Sequence, residues 1–403
     1  MKYNFDEKIN RKGTFSMKWD YAEFLKKYGV TERFDEDTIP VYTADMDFRC
    51  AQPISDALKK LAEYNIYGYT AVFPYEGSIG MTYYNAIIHW FKEKRNWLIK
   101  PEEIVYVNGT VEALKLSIEA FTKKGDGVLI NRPIYSPFTN VIEGSGRVVV
   151  NSQLENKNND GYYTINFEDF EAKAADENTK LFVLCSPHNP TGRIWTDEEL
   201  TKMAEICKKH NVLIVTDEIH GDLIRKGLSF HPLASVVDPK GIITCTAVNK
   251  TFNLAGLSAT NVVIQDTELR EKFVKSIGLI TPNPFTVAAV IAAYNEGDEW
   301  LEQLRNYLDG NIDWVLNFLK TRMPKVKCFR PEGTYIMWMD FRDYGLSAEE
   351  IHKKIYIDAN VVLEGGLVFD PDHGAGFERI CVPTRRAVIQ EVFERIAKQF
   401  DNL

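Results

Sequence analysis

The chain is short of cysteine. Its 403 residues contain six, Cys50, Cys185, Cys207, Cys245, Cys328 and Cys381, with no two at short spacing. That pattern excludes a disulfide framework and a Cys-x-x-Cys zinc site, and predicts buried free thiols. Long apolar runs are missing as well. No stretch approaches the ~20 apolar residues that a membrane helix needs, and the opening MKYNFDEKINRKGTFSMKW has no apolar core of the signal-peptide kind. A cytoplasmic protein with no membrane partner is expected. Basic charge is in deficit, with 48 Lys and Arg against 57 Asp and Glu, a net charge of −9. Such a surface repels phosphate backbones, so nucleic acid is not expected as a partner. No internal repeat or low-complexity tract is visible.

What is present is ordinary globular material, 45% hydrophobic and 26% charged. The length exceeds one compact core and predicts two domains. From about residue 100 to 265, short apolar runs alternate with amphipathic helices, the pattern of strand–helix crossovers in a parallel sheet. The strand candidates are EIVYVN, GVLIN, RVVVNS, KLFVLCS, NVLIVTD, IITCTA and TNVVIQ; VEALKLSIEAFTK and TDEELTKMAEICKKH are helix candidates between them. The polar LENKNNDGYYTIN reads as a surface excursion. The first 45 or so residues show no clear period, and ISDALKKLAEY is helical. After TPNPF a long helical stretch leads to the strand candidates GTYIMWMDF, ANVVLEG and ERICVP, a mixed α+β unit. This divides the chain into an N-terminal arm with part of a small domain (1–48), a large domain (49–284) and a C-terminal small domain (285–403).

In an open parallel sheet, ligands bind beyond the carboxyl ends of the strands. KLFVLCS delivers Asn189 there, NVLIVTD delivers Asp217, Glu218 and His220, and IITCTA delivers Asn249 and Lys250. Asn189 and Asp217 lie 28 residues apart, and Asp217 and Lys250 lie 33 apart, each about one strand–helix–strand unit, so the three groups arrive side by side. A carboxylate and an amine are costly to bury singly. Two readings account for both: an ion pair that closes the sheet, or a lysine that condenses with an aldehyde while the aspartate holds the protonated ring nitrogen of pyridoxal 5′-phosphate. The second also requires a phosphate site and a stacking ring. Gly109 and Thr110, between a strand and a helix, either cap that helix or present its first amides to a dianion. Tyr135, held between two prolines, either covers the core or stacks on the pyridine.

SPHNPTGRIWT, VTDEIHGDLI and NKTFNLAGL, with ADMDF before them and ERICVPTRR after, resemble the pyridoxal-phosphate enzymes of the aspartate-aminotransferase superfamily. The likeness is narrower still to the cystathionine β-lyase and cystalysin-like C-S lyases of class I/II. The resemblance implies an α/β fold, fold type I, with a mostly parallel seven-stranded sheet flanked by helices and a smaller α+β domain. It implies Lys250 as the lysine that carries the cofactor and acts as base, Asp217 as the ring-nitrogen partner and Asn189 as donor to the ring oxygen. Tyr135 would stack, Gly109, Thr110 and Val111 would hold the phosphate, and Arg379 would grip the substrate α-carboxylate; His220 stands either near the ring oxygen or as a satisfied buried histidine. Tyr69 would reach the cofactor phosphate of a second subunit and, with Asn189, also contact substrate, so a homodimer with shared sites is implied. The chain departs from the family at Asn249, where a serine often meets the phosphate, and at Cys381 and 384–386, including Arg385, where Asn and Pro-Arg are usual.

The activity implied is α,β-elimination from L-cystathionine, L-cysteine or another S-substituted cysteine to thiol, pyruvate and ammonia. Transamination of a small or aromatic amino acid uses the same residues, and a regulatory protein that retains the cofactor is a third reading. Asp45 and Asp47 stand either at the substrate entrance or as surface charge or a helix cap. A metal site at Asp217, Glu218, His220 and Asp222 is disfavoured, because alternate residues leaving a strand face apart.

Overall fold

The computed structural model describes residues 2–401. All seven strand candidates form one sheet: β1 (Ile104–Val107), β2 (Gly127–Ile130), β3 (Val148–Asn151), β4 (Thr179–Cys185), β5 (Leu213–Asp217), β6 (Ile242–Ala247) and β7 (Thr260–Val263). Their spatial order is β1-β7-β6-β5-β4-β2-β3, and only β7 runs antiparallel to its neighbours. The strands read as apolar runs because both faces are covered. Successive residues go to opposite sides, Phe182 and Leu184 to one core and Leu181, Val183 and Cys185 to the other.

Among the helices flanking the sheet, Phe167–Ala174, Asp197–Lys209 and Thr267–Ile277 begin at side-chain caps. Thr196 and Glu199 form a capping box for Asp197–Lys209, which buries Leu200, Met203, Ile206 and Cys207 against the sheet and carries acids in its first turn and lysines in its last. The long helical stretch after TPNPF is two helices, Pro284–Glu296 and Asp298–Arg322, broken at Gly297. A Cβ there would lie 2.4 Å from both the Ala293 carbonyl and the Phe252 ring, so only glycine lets the chain turn this tightly against its neighbours.

The C-terminal strands form a four-stranded antiparallel sheet of β8 (Lys327–Cys328), β9 (Ile336–Asp340), β10 (Glu364–Gly365) and β11 (Phe377–Cys381), in the order β8-β9-β11-β10. The ANVVLEG candidate is split: Val361–Val362 pairs instead with Ile39–Pro40, a parallel ladder that ties the N-terminal segment to this unit. That segment lacks periodicity because point contacts hold it. Phe5 packs among Phe48, Trp300 and Tyr307.

LENKNNDGYYTIN is more than a surface excursion. It closes a short hairpin (Leu154–Glu155 with Thr164–Ile165), and only its tip is exposed. Tyr163 is buried, its hydroxyl accepting from Trp338 Nε1 (3.1 Å) and its carbonyl from Arg193.

Candidate active site

The loop after β4 turns sharply at Gly192, whose φ is +74° and whose Cβ, if present, would sit 2.5 Å from Pro331. This turn sets Asn189 beyond the end of β4, where it is buried. Asp217 ends β5, its register partners being Cys185 on β4 and Cys245 on β6. Lys250 lies on the helical turn Val248–Thr251 directly after β6. Neighbouring parallel strands thus bring Asn189, Asp217 and Lys250 to one edge.

Asp217 is buried, and its carboxylate accepts from the Ile219 amide (3.2 Å). Desolvation raises its pKa from 3.8 to about 6, opposed by that amide and by the charge of Lys250. Burial lowers the pKa of Lys250, whose Nζ donates to the Ala44 carbonyl (3.0 Å) rather than to a carboxylate. A closed Asp217–Lys250 ion pair is therefore not what the strand ends form. His220 is buried, its ring edge-on to Tyr335 (5.7 Å) and its Nδ1 without a partner, and burial lowers its pKa well below the usual value.

Gly109, in extended conformation (φ −169°), precedes the helix Thr110–Phe121, whose first turn receives no side-chain cap. A Cβ on Gly109 would meet nothing within 4 Å, so the chain is uncrowded at the point where the helix begins. Thr110 Oγ1 lies 3.1 Å from Thr260 Oγ1. Asn249 turns away from this space: with its amide oriented to satisfy both ends, its nitrogen donates to the Leu254 and Ala259 carbonyls, both at 3.2 Å. Tyr135, half-buried, packs edge-on to Phe138 (5.8 Å), and burial raises its hydroxyl pKa.

Arg379, on β11, is the contribution of the smaller sheet. It is 2% exposed and reaches Asn189 Oδ1 through Nη1 (3.1 Å) and the Tyr42 carbonyl through Nη2 (2.9 Å). Nη2 also pairs with the Glu364 carboxylate, and the guanidinium lies over the Phe369 ring at 4.8 Å. Cys381, also buried, donates to the Tyr42 carbonyl (3.4 Å). Arg385 stands immediately before the C-terminal helix Arg386–Lys398. Tyr69 is fully exposed.

Asp45 and Asp47 are neither surface charges nor helix caps. Asp47 is buried, paired with Lys18 (2.7 Å) and Arg11 (3.1 Å) and accepting from Trp19 Nε1 (2.9 Å), while Asp45 pairs with Arg11 (2.8 Å). Asn253 exchanges hydrogen bonds with the Met46 backbone (3.1 and 3.0 Å), completing a latch that presents the Ala44 carbonyl to Lys250 and to the Tyr335 hydroxyl (3.0 Å). Sequence reading passed over Ala44, Tyr335 and Glu364. For Glu364 a signal existed, a lone carboxylate in the apolar run VVLEGG.

The acids and histidine after β5 diverge. Glu218 accepts from the Leu233 amide (2.9 Å), Asp222 pairs with Arg95 and accepts from Thr251, and His220 faces Tyr335. Among the described residues no cluster of three potential metal ligands occurs.

Pyridoxal 5′-phosphate fits these residues. A buried carboxylate without a charge-matched contact, a half-buried amine bonded only to a carbonyl, an unpartnered histidine nitrogen and helix-start amides with no side-chain cap are all groups a charged, phosphorylated aromatic aldehyde satisfies.

Comparison with known proteins agrees. The family described as aminotransferase class I and II matches residues 45–396. Cystathionine beta-lyase PatB of Bacillus subtilis (strain 168) is 40% identical over 398 residues, 98% of each chain. Protein MalY of Escherichia coli (strain K12) is 29% identical over 394 residues, 96% of each. Among solved structures, cystalysin from Treponema denticola, which contains pyridoxal 5′-phosphate, is 33% identical with a TM-score of 0.92 over 100% of both chains. The PLP-bound C-S lyase from Staphylococcus hominis is 34% identical with a TM-score of 0.88 over 98% of both. The chain belongs to the aminotransferase class I and II family of pyridoxal-phosphate-dependent enzymes, and within it stands with the carbon–sulfur lyases.

Proposed function

We propose that the protein is a C-S β-lyase that cleaves L-cystathionine, L-cysteine or related S-substituted cysteines by α,β-elimination. The observation that carries this reading is the likeness over nearly the whole chain to a cystathionine beta-lyase and a C-S lyase, on a site where Lys250 and Asp217 stand at neighbouring strand ends. When bound, the cofactor supplies an aldehyde that captures the substrate amine and a ring that accepts the electron pair left when the Cα proton departs.

The chain's residues do the rest. The Gly109, Thr110 and Val111 amides would hold the phosphate, Tyr135 would stack on the ring, and Asn189 and His220 would serve the ring oxygen. Asp217 would keep the ring nitrogen protonated. Its own high pKa in the bare site falls once a cation lies against it, because an opposite charge outweighs desolvation. Arg379 takes the α-carboxylate in a two-pronged grip. Lys250 removes the Cα proton; burial favours its neutral, basic form, and the Ala44 carbonyl fixes its nitrogen. The β-thiolate then leaves with its electron pair, and water completes conversion to pyruvate and ammonia.

Two further elements belong to the proposal. The division at 48 is supported by the ladder that ties Ile39–Pro40 to Val361–Val362; helix Pro284–Glu296 packs on Gln52–Tyr64 and Met81–Arg95, so the second division belongs after this helix rather than at 284. A homodimer is supported by the exposed apolar run of Ile66, Tyr67, Tyr69, Phe73, Tyr75 and Ile79, a patch that a partner would cover. No helix of the described residues is long and apolar enough to cross a membrane, which is compatible with the expected cytoplasmic setting. The test is incubation of the holoenzyme with L-cystathionine and no keto acid. Sustained pyruvate release is expected; release only after a keto acid is added would make the enzyme an aminotransferase.

A further inference from the structure

Glu364 on β10 and Arg379 on β11 stand directly opposite each other in the antiparallel ladder. The glutamate carboxylate accepts from Arg379 Nη2, whose other hydrogen goes to the Tyr42 carbonyl, so both hydrogens of Nη2 are taken. Nη1 spends one on Asn189, and Nε, although buried, has no partner. A carboxylate that docks end-on to a guanidinium takes one hydrogen from each Nη. Glu364 therefore holds the place that an incoming α-carboxylate requires.

The two partners differ in freedom. Arg379 is buried and fixed by Asn189, Tyr42 and Phe369, whereas the Glu364 side chain is 23% exposed and has solvent to turn into. Pairing also solves a problem of the empty site. An isolated buried guanidinium costs several kcal/mol, and here burial alone would lower its pKa, while Glu364 overrides that and holds it up. Tyr135, Tyr335 and Cys381 flank the same guanidinium, and burial keeps the proton on each of them. Glu364 supplies the negative charge.

We propose that Glu364 is a specificity-determining residue, a resident carboxylate that occupies Arg379 until an amino acid displaces it and then repels substrates whose side chain carries net negative charge, leaving the zwitterionic end of L-cystathionine unaffected. The proposal rests on the reading of Arg379 as the α-carboxylate anchor. After release, Glu364 remains within a side chain's length of the guanidinium, so two carboxylates share one cation. A thioether with a neutral or cationic end adds no conflict, and an acidic end brings a third negative charge into a site of low dielectric.

Two probes of equal size decide it. S-carboxymethyl-L-cysteine and S-carbamoylmethyl-L-cysteine differ by one charge. With the holoenzyme, kcat/KM for the amide exceeds that for the acid by about tenfold or more, and in Glu364→Gln the ratio falls below about threefold. The second probe is 3-(methylthio)propionate, a thioether carboxylate with no amine to react. By calorimetry it binds Glu364→Gln about fivefold more tightly than the parent, because the resident competitor is gone. Glu364→Ser is measured in parallel, in case the Gln variant misfolds. Either quantity staying within about twofold of the parent value in a folded variant overturns the proposal. If the parent releases no pyruvate from L-cystathionine either, the lyase reading falls, and the calorimetry still decides the role of Glu364.

Discussion

The ends of β4, β5 and β6 and the edge of the four-stranded sheet meet at one site, yet they treat charge in opposite ways. On the large sheet Asp217 and His220 are buried and Lys250 is half-buried, without the partners that would neutralise them, and burial shifts all three away from their usual ranges. On the small sheet Arg379 is matched by Glu364, at its own register position. The lesson is that an unmatched cluster stores a demand for a permanent charged ligand. A matched pair instead sets up an exchange, in which one carboxylate can replace another. The first suits a cofactor and the second a substrate that comes and goes.

Breaking the unmatched side has the largest expected effect. Lys250→Ala should lower pyruvate formation by on the order of 10³-fold or more, since it removes both the covalent anchor and the base; appreciable turnover in a folded variant contradicts its assignment. Arg379→Ala should follow, with kcat/KM reduced by on the order of 10²-fold or more and Glu364 left without its cation. Arg379→Lys should recover only part of that loss, because an ammonium lacks the planar fork.

Asp217 sharpens the contrast through pH. Its folded pKa, about 6, lies above the 3.8 of an ordinary aspartate. The folded chain therefore binds the proton more tightly than the unfolded one, and stability is full below about pH 4 and declines as pH rises through 6. In the cofactor-free chain, Asp217→Asn should remove a penalty on the order of 3 kcal/mol at pH 7.5, read as a higher denaturation midpoint, with little difference at pH 4. Glu218 and Glu378, raised to about 7 and about 8 by burial, keep their own slopes in that variant. The same substitution should depress turnover in the holoenzyme. The smallest effect is expected at the latch: Arg11→Ala should cost about 1 kcal/mol, since Asp47 retains Lys18 and Trp19.

The same contrast explains what could be read from the sequence. Every strand of the large sheet was legible, because parallel strands covered on both faces are apolar runs at crossover spacing, and the spacing of Asn189, Asp217 and Lys250 already placed them together. The small-sheet side was legible only at Arg379, through resemblance. Its pairing with Glu364 depends on antiparallel register across an irregular stretch, and Tyr42 and Ala44 act through backbone carbonyls, which carry no residue signature. The Arg11–Lys18–Asp47 latch stayed hidden because a buried lysine in an aperiodic arm looks like solvated charge until its partner, 29 residues away, is known.

The most direct test of the unmatched cluster as the cofactor's seat is borohydride reduction of the holoenzyme followed by peptide mapping. A pyridoxyl group on the ε-nitrogen of Lys250, with loss of the visible absorbance, is the expected result. A label on another lysine, or none at all, would contradict it.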